Sequence, residues 1–154
     1  MIKTPDNALR LLNLLIPTCR DSEQGFQLAA MDVQEPELAR IFAEYSAQRA
    51  KFVGELEDRV RVLRGEPASG GNPLAALHRN WMELKAALAA NEVHAILQEV
   101  ERGEDMAVKA YRTALAERDI DDDTHRLIQA QYELVQAAHD RIRQLRDSAT
   151  YAHR

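Results

Sequence analysis

The sequence predicts an all-α chain built as an up-down four-helix bundle, with a short helix in the long crossover between its second and third long helices. Three observations carry that reading. Apolar residues recur at alternating three- and four-residue steps along four long stretches, and no period-two strand pattern appears. Helix starts share one grammar, a capping residue followed by proline. The 6 Gly and 5 Pro among 154 residues cluster at a few places and leave long segments uninterrupted.

In chain order, "TPDNALR" opens a first helix near 5–33 with Thr4 as cap and Pro5 in its first turn. Its seam is Leu9, Leu12, Ile16, Cys19, Phe26, Ala30 and Val33, and Glu23 takes the one step where an apolar residue is missing. Pro17 removes a backbone donor inside this helix and is expected to kink it. "QEPELAR", with Glu35 as a poorer cap before Pro36, opens a second helix near 36–64. Its seam of Leu38, Ile41, Tyr45, Phe52, Leu56 and Leu63 is interrupted by Glu44, Gln48 and Arg49. "GEPASGGNP" then forms a linker, and Asn72–Pro73 starts a short helix near 73–89.

Asn91 in "AANEVHAIL" signals a further start, giving a helix near 92–118. Leu97, Val100, Ala107, Tyr111 and Leu115 form its seam, with Glu101 and Glu104 inserted one turn apart. The acids of "RDIDDDTHRL" suit a positive helix N-terminus and open the last helix, near 122–148. It runs Ile128, Tyr132, Val135, Ile142 and Leu145, with His139 at the missing step. One domain over 1–154 is expected, long enough to bury a core.

The polar interruptions fall at one height. Glu23 and Glu44 each lie about ten residues, roughly 15 Å of helix, from the turn at 33–34. Glu101 and His139 are equally distant from the turn near Ile120. If the crossover, roughly 25 Å of helix plus its linker, returns the chain to the first turn, all four helices contribute to one layer.

Two readings of that layer stay open. Glu23, Glu44, Glu101, Glu104 and His139 are candidate ligands for iron, manganese or zinc, since carboxylate-bridged bundles take one Glu from each of two helices and Glu-x-x-His from the other two. Here the second helix has Ala47 where that pattern places His, and the last has Gln136 where it places Glu. Alternatively, Arg49 supplies the cation, and Gln48, Gln136, Tyr45 and Tyr132 complete a hydrogen-bonded layer that fixes helix register. Removing Glu23 then costs a large part of the stability by leaving Arg49 unpaired, whereas at a metal site it releases the metal with a far smaller stability change in metal-free protein.

Composition narrows the classes. A net charge of −5 gives no general basic field for nucleic acid. Arg141, Arg143 and Arg146 read as cations complementing the end of the last helix. The run from Leu11 to Ile16 is too short for a membrane span, and the opening residues do not resemble a secretory signal. A single cysteine, Cys19, allows no internal disulfide and fits a reducing, cytoplasmic setting; a buried hydrophobe is its expected role. His78 and Trp81 are expected to cover the bundle side, and His94 and His125 to be solvated. Neither a Gly-rich phosphate loop, a Ser/His/Asp grouping nor zinc-ribbon spacing is present.

The segments "TCRDSEQGF", "EYSAQRAKFVGEL", "ALHRNWMELKAAL", "HAILQEVERGEDMAVKAYRTAL" and "QYELVQAAHDRIRQLRD" resemble a bacterial family of small ferritin-like bundles, domain of unknown function 2383. The resemblance spans nearly the whole chain and implies the ferritin-like fold, without an activity. Carried over from the wider superfamily, ligand positions would match Glu23, Glu44, Glu101 or Glu104, and His139. Pro17 departs from that family's first helix. The expectation is a ferritin-like bundle with a structural or interaction role, in stress physiology or otherwise, and a homo-oligomer such as a dimer as partner. The other is a metal-binding bundle with weak oxidase or peroxide-handling activity. The residues leave open whether it is an enzyme.

Overall fold

The computed structural model describes residues 5–69 and 74–153, with the side chains of 74–80 outside the description. Five helices and no strand occur among the described residues: α1 Pro5–Asp32, α2 Pro36–Val62, α3 Leu74–Ala90, α4 Val93–Leu115 and α5 Asp122–Asp147. Thr4, Asn72 and Pro73 lie outside the described residues. α1 pairs with α2 and α4 with α5, while α1 also lies against α4 and α2 against α5.

The two hairpins dock so that neighbouring helices run antiparallel, which shows in how the core divides. One cluster joins Leu11 to Cys19 of α1, Phe52 to Val60 of α2, Ala107 to Ala114 of α4, and Ile128 and Val135 of α5. The other joins Phe26 and Ala29 of α1, Leu38 to Phe42 of α2, Val93 to Val100 of α4, and Ile142 of α5. α2 therefore ends at the opposite end of the bundle from the start of α4. α3 spans that distance, burying Leu84, Ala87 and Leu88 in the second cluster.

Local chemistry sets the boundaries. Asp121 caps α5, accepting from Thr124 N at 3.0 Å, and its carboxylate also takes Arg59 Nη2 at 2.6 Å, which ties the cap to α2. Asn91 does not cap α4: it sits at φ 53°, closing α3 with its N–H on the Leu88 carbonyl, and Glu92 is the α4 N-cap. Asparagine tolerates this left-handed position better than most residues, so its turn signal marked an ending rather than a start. At the end of α2, Arg64 takes φ 64° and the Gly65 N–H reaches back to the Val60 carbonyl. A Cβ on Gly65 would stand 2.4 Å from Leu9 Cδ2, so a larger residue there would require the Leu9 side chain to move.

α1 is helical straight through Pro17. The first part of the linker after α2 is held against α1 at Glu66 and Ala68. Asn13 donates to the Glu66 carbonyl and accepts from Ala68 N, and Arg20 donates to the Ala68 carbonyl at 2.8 Å.

Candidate functional site

Between the two apolar clusters lies a polar layer, and α4 supplies most of it. Residues 100, 104, 107 and 111 of α4 turn into the bundle, whereas Glu101, Asp105 and Val108, one step round, turn toward α5. Adjacent residues of one helix thus feed two different polar groups.

The interior group centres on Arg49, which is fully buried. Its guanidinium contacts both oxygens of the equally buried Glu104: Nη2 donates to Oε2 at 3.0 Å, and Nη1 lies 2.9 Å from Oε1. Arg49 Nε donates to Gln48 Oε1, and the guanidinium lies 5.3 Å from the centre of the Phe26 ring. Burial pushes the Glu104 carboxyl above its ordinary range, and the Arg49 charge and hydrogen bond oppose that shift. Beside this pair, Cys19 Sγ lies 3.1 Å from Tyr111 Oη, which donates to Gln131 Oε1 at 2.6 Å. The Gln131 amide donates in turn to Glu55 and to the Phe52 carbonyl. Burial pushes the Cys19 thiol up to about 11, with the Tyr111 hydrogen bond opposing.

The second group lies in the α4–α5 groove. His139, 6% exposed, points Nε2 at Asp105 Oδ1, 2.5 Å away, and at Glu101 Oε1, 3.8 Å away. Its Nδ1 faces Asp140 Oδ1 at 3.1 Å, with Arg143 Nη2 farther off at 3.5 Å. The hydrogen bond from His139, the largest cause, holds the Asp140 carboxyl below its ordinary range, and Gln136 adds another at 3.0 Å. Arg146 binds Glu101 Oε2 and Asp147. Asp105 opens the group to solvent, with a side chain 61% exposed.

The sequence-derived candidates therefore separate. Glu101 and His139 meet in the groove, Glu104 and Arg49 meet in the interior, and Gln48 joins Arg49. Glu44 is 54% exposed and pairs with Arg40 on its own helix. It follows Phe42 round the helix onto the outer face, so it does not join the layer. Glu23 is half-buried, and the contact it makes across to α2 is through its backbone carbonyl, which accepts from Ser46. Gln136 and Tyr132 lie toward the groove mouth, where Arg112 donates to both. Tyr45 is half-buried against Phe26 and under Arg141. Arg143 and Arg146 pair with Glu101 rather than only with the helix end. His94 is half-buried, its Nδ1 3.2 Å from the Arg146 carbonyl; His125 is exposed, and the side chain of His78 is outside the described residues.

Gln131, Asp105 and Asp140 were not among the sequence candidates. Asp105 was legible as the carboxylate four residues after Glu101, and Asp140 as the neighbour of His139, but neither occupies a core step. Gln131 fell outside the apolar series entirely.

The ferritin-like fold implies a dimetal centre between the four helices, and the interior residues do not fit one. Of the carboxylates proposed for it, Glu104 has a guanidinium on both its oxygens, Glu101 is paired with Arg146 and His139 in the α4–α5 groove, and Glu44 is exposed. With the Arg49 and Glu104 side chains both fully buried, a divalent metal at Glu104 would have to displace the guanidinium from an oxygen where no solvent screens the two cations from each other.

A family model described as domain of unknown function (DUF2383) matches residues 7–117. No curated protein matches the chain. Among solved structures, a point mutant of Mycobacterium smegmatis Dps1 superposes with a TM-score of 0.74 at 14% identity, covering 96% of this chain and 99% of that one. That likeness is one of fold. The chain belongs to the DUF2383 family and carries the ferritin-like bundle.

Proposed function

We propose that this protein is a non-enzymatic ferritin-like bundle that acts through its outer surface, self-association included, in a reducing compartment such as the cytoplasm. The single observation that carries this reading is the Arg49–Glu104 pair at the centre of the bundle. An ion pair there specifies helix register and removes the carboxylate a dimetal oxidase needs. The lone cysteine is buried as a thiol, which fits a reducing setting rather than disulfide chemistry. No helix among the described residues is long and apolar enough to cross a membrane. Exposed apolar side chains stand singly on every helix, among them Leu14, Val62, Met82, Met106 and Leu134, and allow contacts between copies without marking one face for them.

Aerobic oxidation of added ferrous iron tests the reading, with solution mass measured by light scattering on the same sample. The expected result is an oxidation rate equal to that of protein-free buffer and a mass above one chain. Saturable oxidation that disappears in Glu104→Gln would replace this reading with the oxidase.

A further inference from the structure

We propose that the α4–α5 groove holds a second kind of site: a mononuclear site for a divalent transition ion, with His139 Nε2, Asp105 Oδ1 and Glu101 Oε1 as its protein ligands. These three atoms come from two helices and all lie within 4.8 Å of one another. Imidazole and carboxylate bind such ions at about 2.0–2.2 Å, which puts neighbouring ligand atoms about 3.0–3.5 Å apart. The pairs present, 2.5 Å for His139–Asp105 and 3.8 Å for His139–Glu101, bracket that separation, so small side-chain rotations suffice.

The chemistry of each ligand agrees. A metal-binding histidine commonly gives its other ring N–H to a carboxylate, which fixes the tautomer and aims the free lone pair. Asp140 is placed to do this at Nδ1, and Gln136 orients Asp140 in turn. With Nδ1 protonated toward Asp140, Nε2 and Asp105 Oδ1 face each other as two acceptors, and a cation between them resolves the repulsion. A proton on Nε2, donated to Asp105, is the competing solution, and it leaves Glu101 Oε1 with only the longer ion-pair contacts to His139 and Arg143. That oxygen belongs to a side chain only 10% exposed and makes no hydrogen bond. Its nearest polar neighbours are Arg143 Nε at 3.6 Å and His139 Nε2 at 3.8 Å. Arg146 occupies the other oxygen and so leaves Oε1 turned into the cluster.

The carboxylates of Glu101, Asp105 and Asp140 stand around His139, while Arg143, Arg146, Lys109 and Arg112 border the same groove, so the site rests on ligand placement rather than on net charge. The exposed Asp105 side provides the way in and leaves remaining coordination positions to water. One nitrogen and two carboxylate ligands suit manganese, iron, cobalt or zinc over a soft ion such as copper(I). The site does not depend on the interior pair, since no ligand is shared with Arg49 or Glu104.

Cobalt(II) titrated into tag-free protein tests the proposal, with visible absorption and calorimetry as readouts, followed by zinc competition. The expected result is one ion per chain, a visible band displaced by zinc, and at least tenfold weaker binding in both Asp105→Asn and His139→Gln. Circular dichroism and thermal melting establish that both variants are folded, and Glu44→Gln serves as a surface control with unchanged binding. Absence of binding overturns the proposal, as does binding that both groove variants retain. Binding lost only in Glu104→Gln also overturns it, and would contradict the proposed function as well.

Discussion

Glu104 and Asp105 are consecutive residues of one helix and live in opposite electrostatic settings. Glu104 is buried against a single guanidinium, where desolvation is severe and one cation is all the site accepts. Asp105 stands at the rim, where water screens it and its nearest partner is the His139 imidazole. The same carboxylate chemistry thus makes a buried ion pair in one place and, on the reading proposed above, an open ion site in the other. What separates them is a helical rotation of 100° and the depth it imposes.

The comparison is most exposed to failure at Arg49. Arg49→Met leaves a buried carboxylate without its cation, and urea unfolding should show a loss of about 3–5 kcal/mol. A loss below about 1 kcal/mol would mean that the interior pair stabilises little. Tyr111→Phe comes next: it strands Gln131 Oε1 and removes the Cys19 contact, and should cost about 1–3 kcal/mol by the same measurement.

Cys19 sharpens the contrast through pH. Its folded thiol titrates near 11, above the unfolded value, because burial disfavours the thiolate. The stability it contributes is therefore complete below the unfolded value and is lost as pH rises through about 11. Melting temperature should fall along that alkaline limb and fall less steeply in Cys19→Ala, and alkylation of native protein at pH 8 should be slow relative to unfolded protein. Rapid native alkylation would place the thiol at the surface.

At the rim the effects shrink. Asp105→Asn should change stability by less than about 1 kcal/mol, because its side chain is largely solvated. Smallest, and opposite in sign, is Gly103→Ala. A Cβ there meets nothing within 4 Å, so helix propensity alone should raise stability by about 0.5–1 kcal/mol.

The fold was legible because its signals are redundant. Four amphipathic stretches, the Pro36 start and the Asp121 cap each point to the same bundle, and equal distances from the turns place polar residues at one height. The polar layer was legible in height but not in direction. Glu44 and Arg49 both interrupt the α2 seam, yet only Arg49 enters the core, because Phe42, Arg49 and Phe52 share the inward face and Glu44 lies beyond its edge. Asp105 escaped notice for the opposite reason: a rim ligand occupies no seam position, so hydrophobic periodicity carries no trace of it. Asn91 shows the limit of residue-type signals, since the same side chain suits a helix start and the left-handed residue after a helix end.

The most direct test of the interior ion pair is a double-mutant cycle on Arg49→Met and Glu104→Leu, with unfolding free energy as the readout. Each single change should be strongly destabilising, and the double variant should recover most of the loss, a coupling of several kcal/mol, because two apolar chains fill the space without stranding a charge. Additive losses, or a Glu104→Leu variant as stable as the parent, would contradict the claim that this pair holds the centre of the bundle.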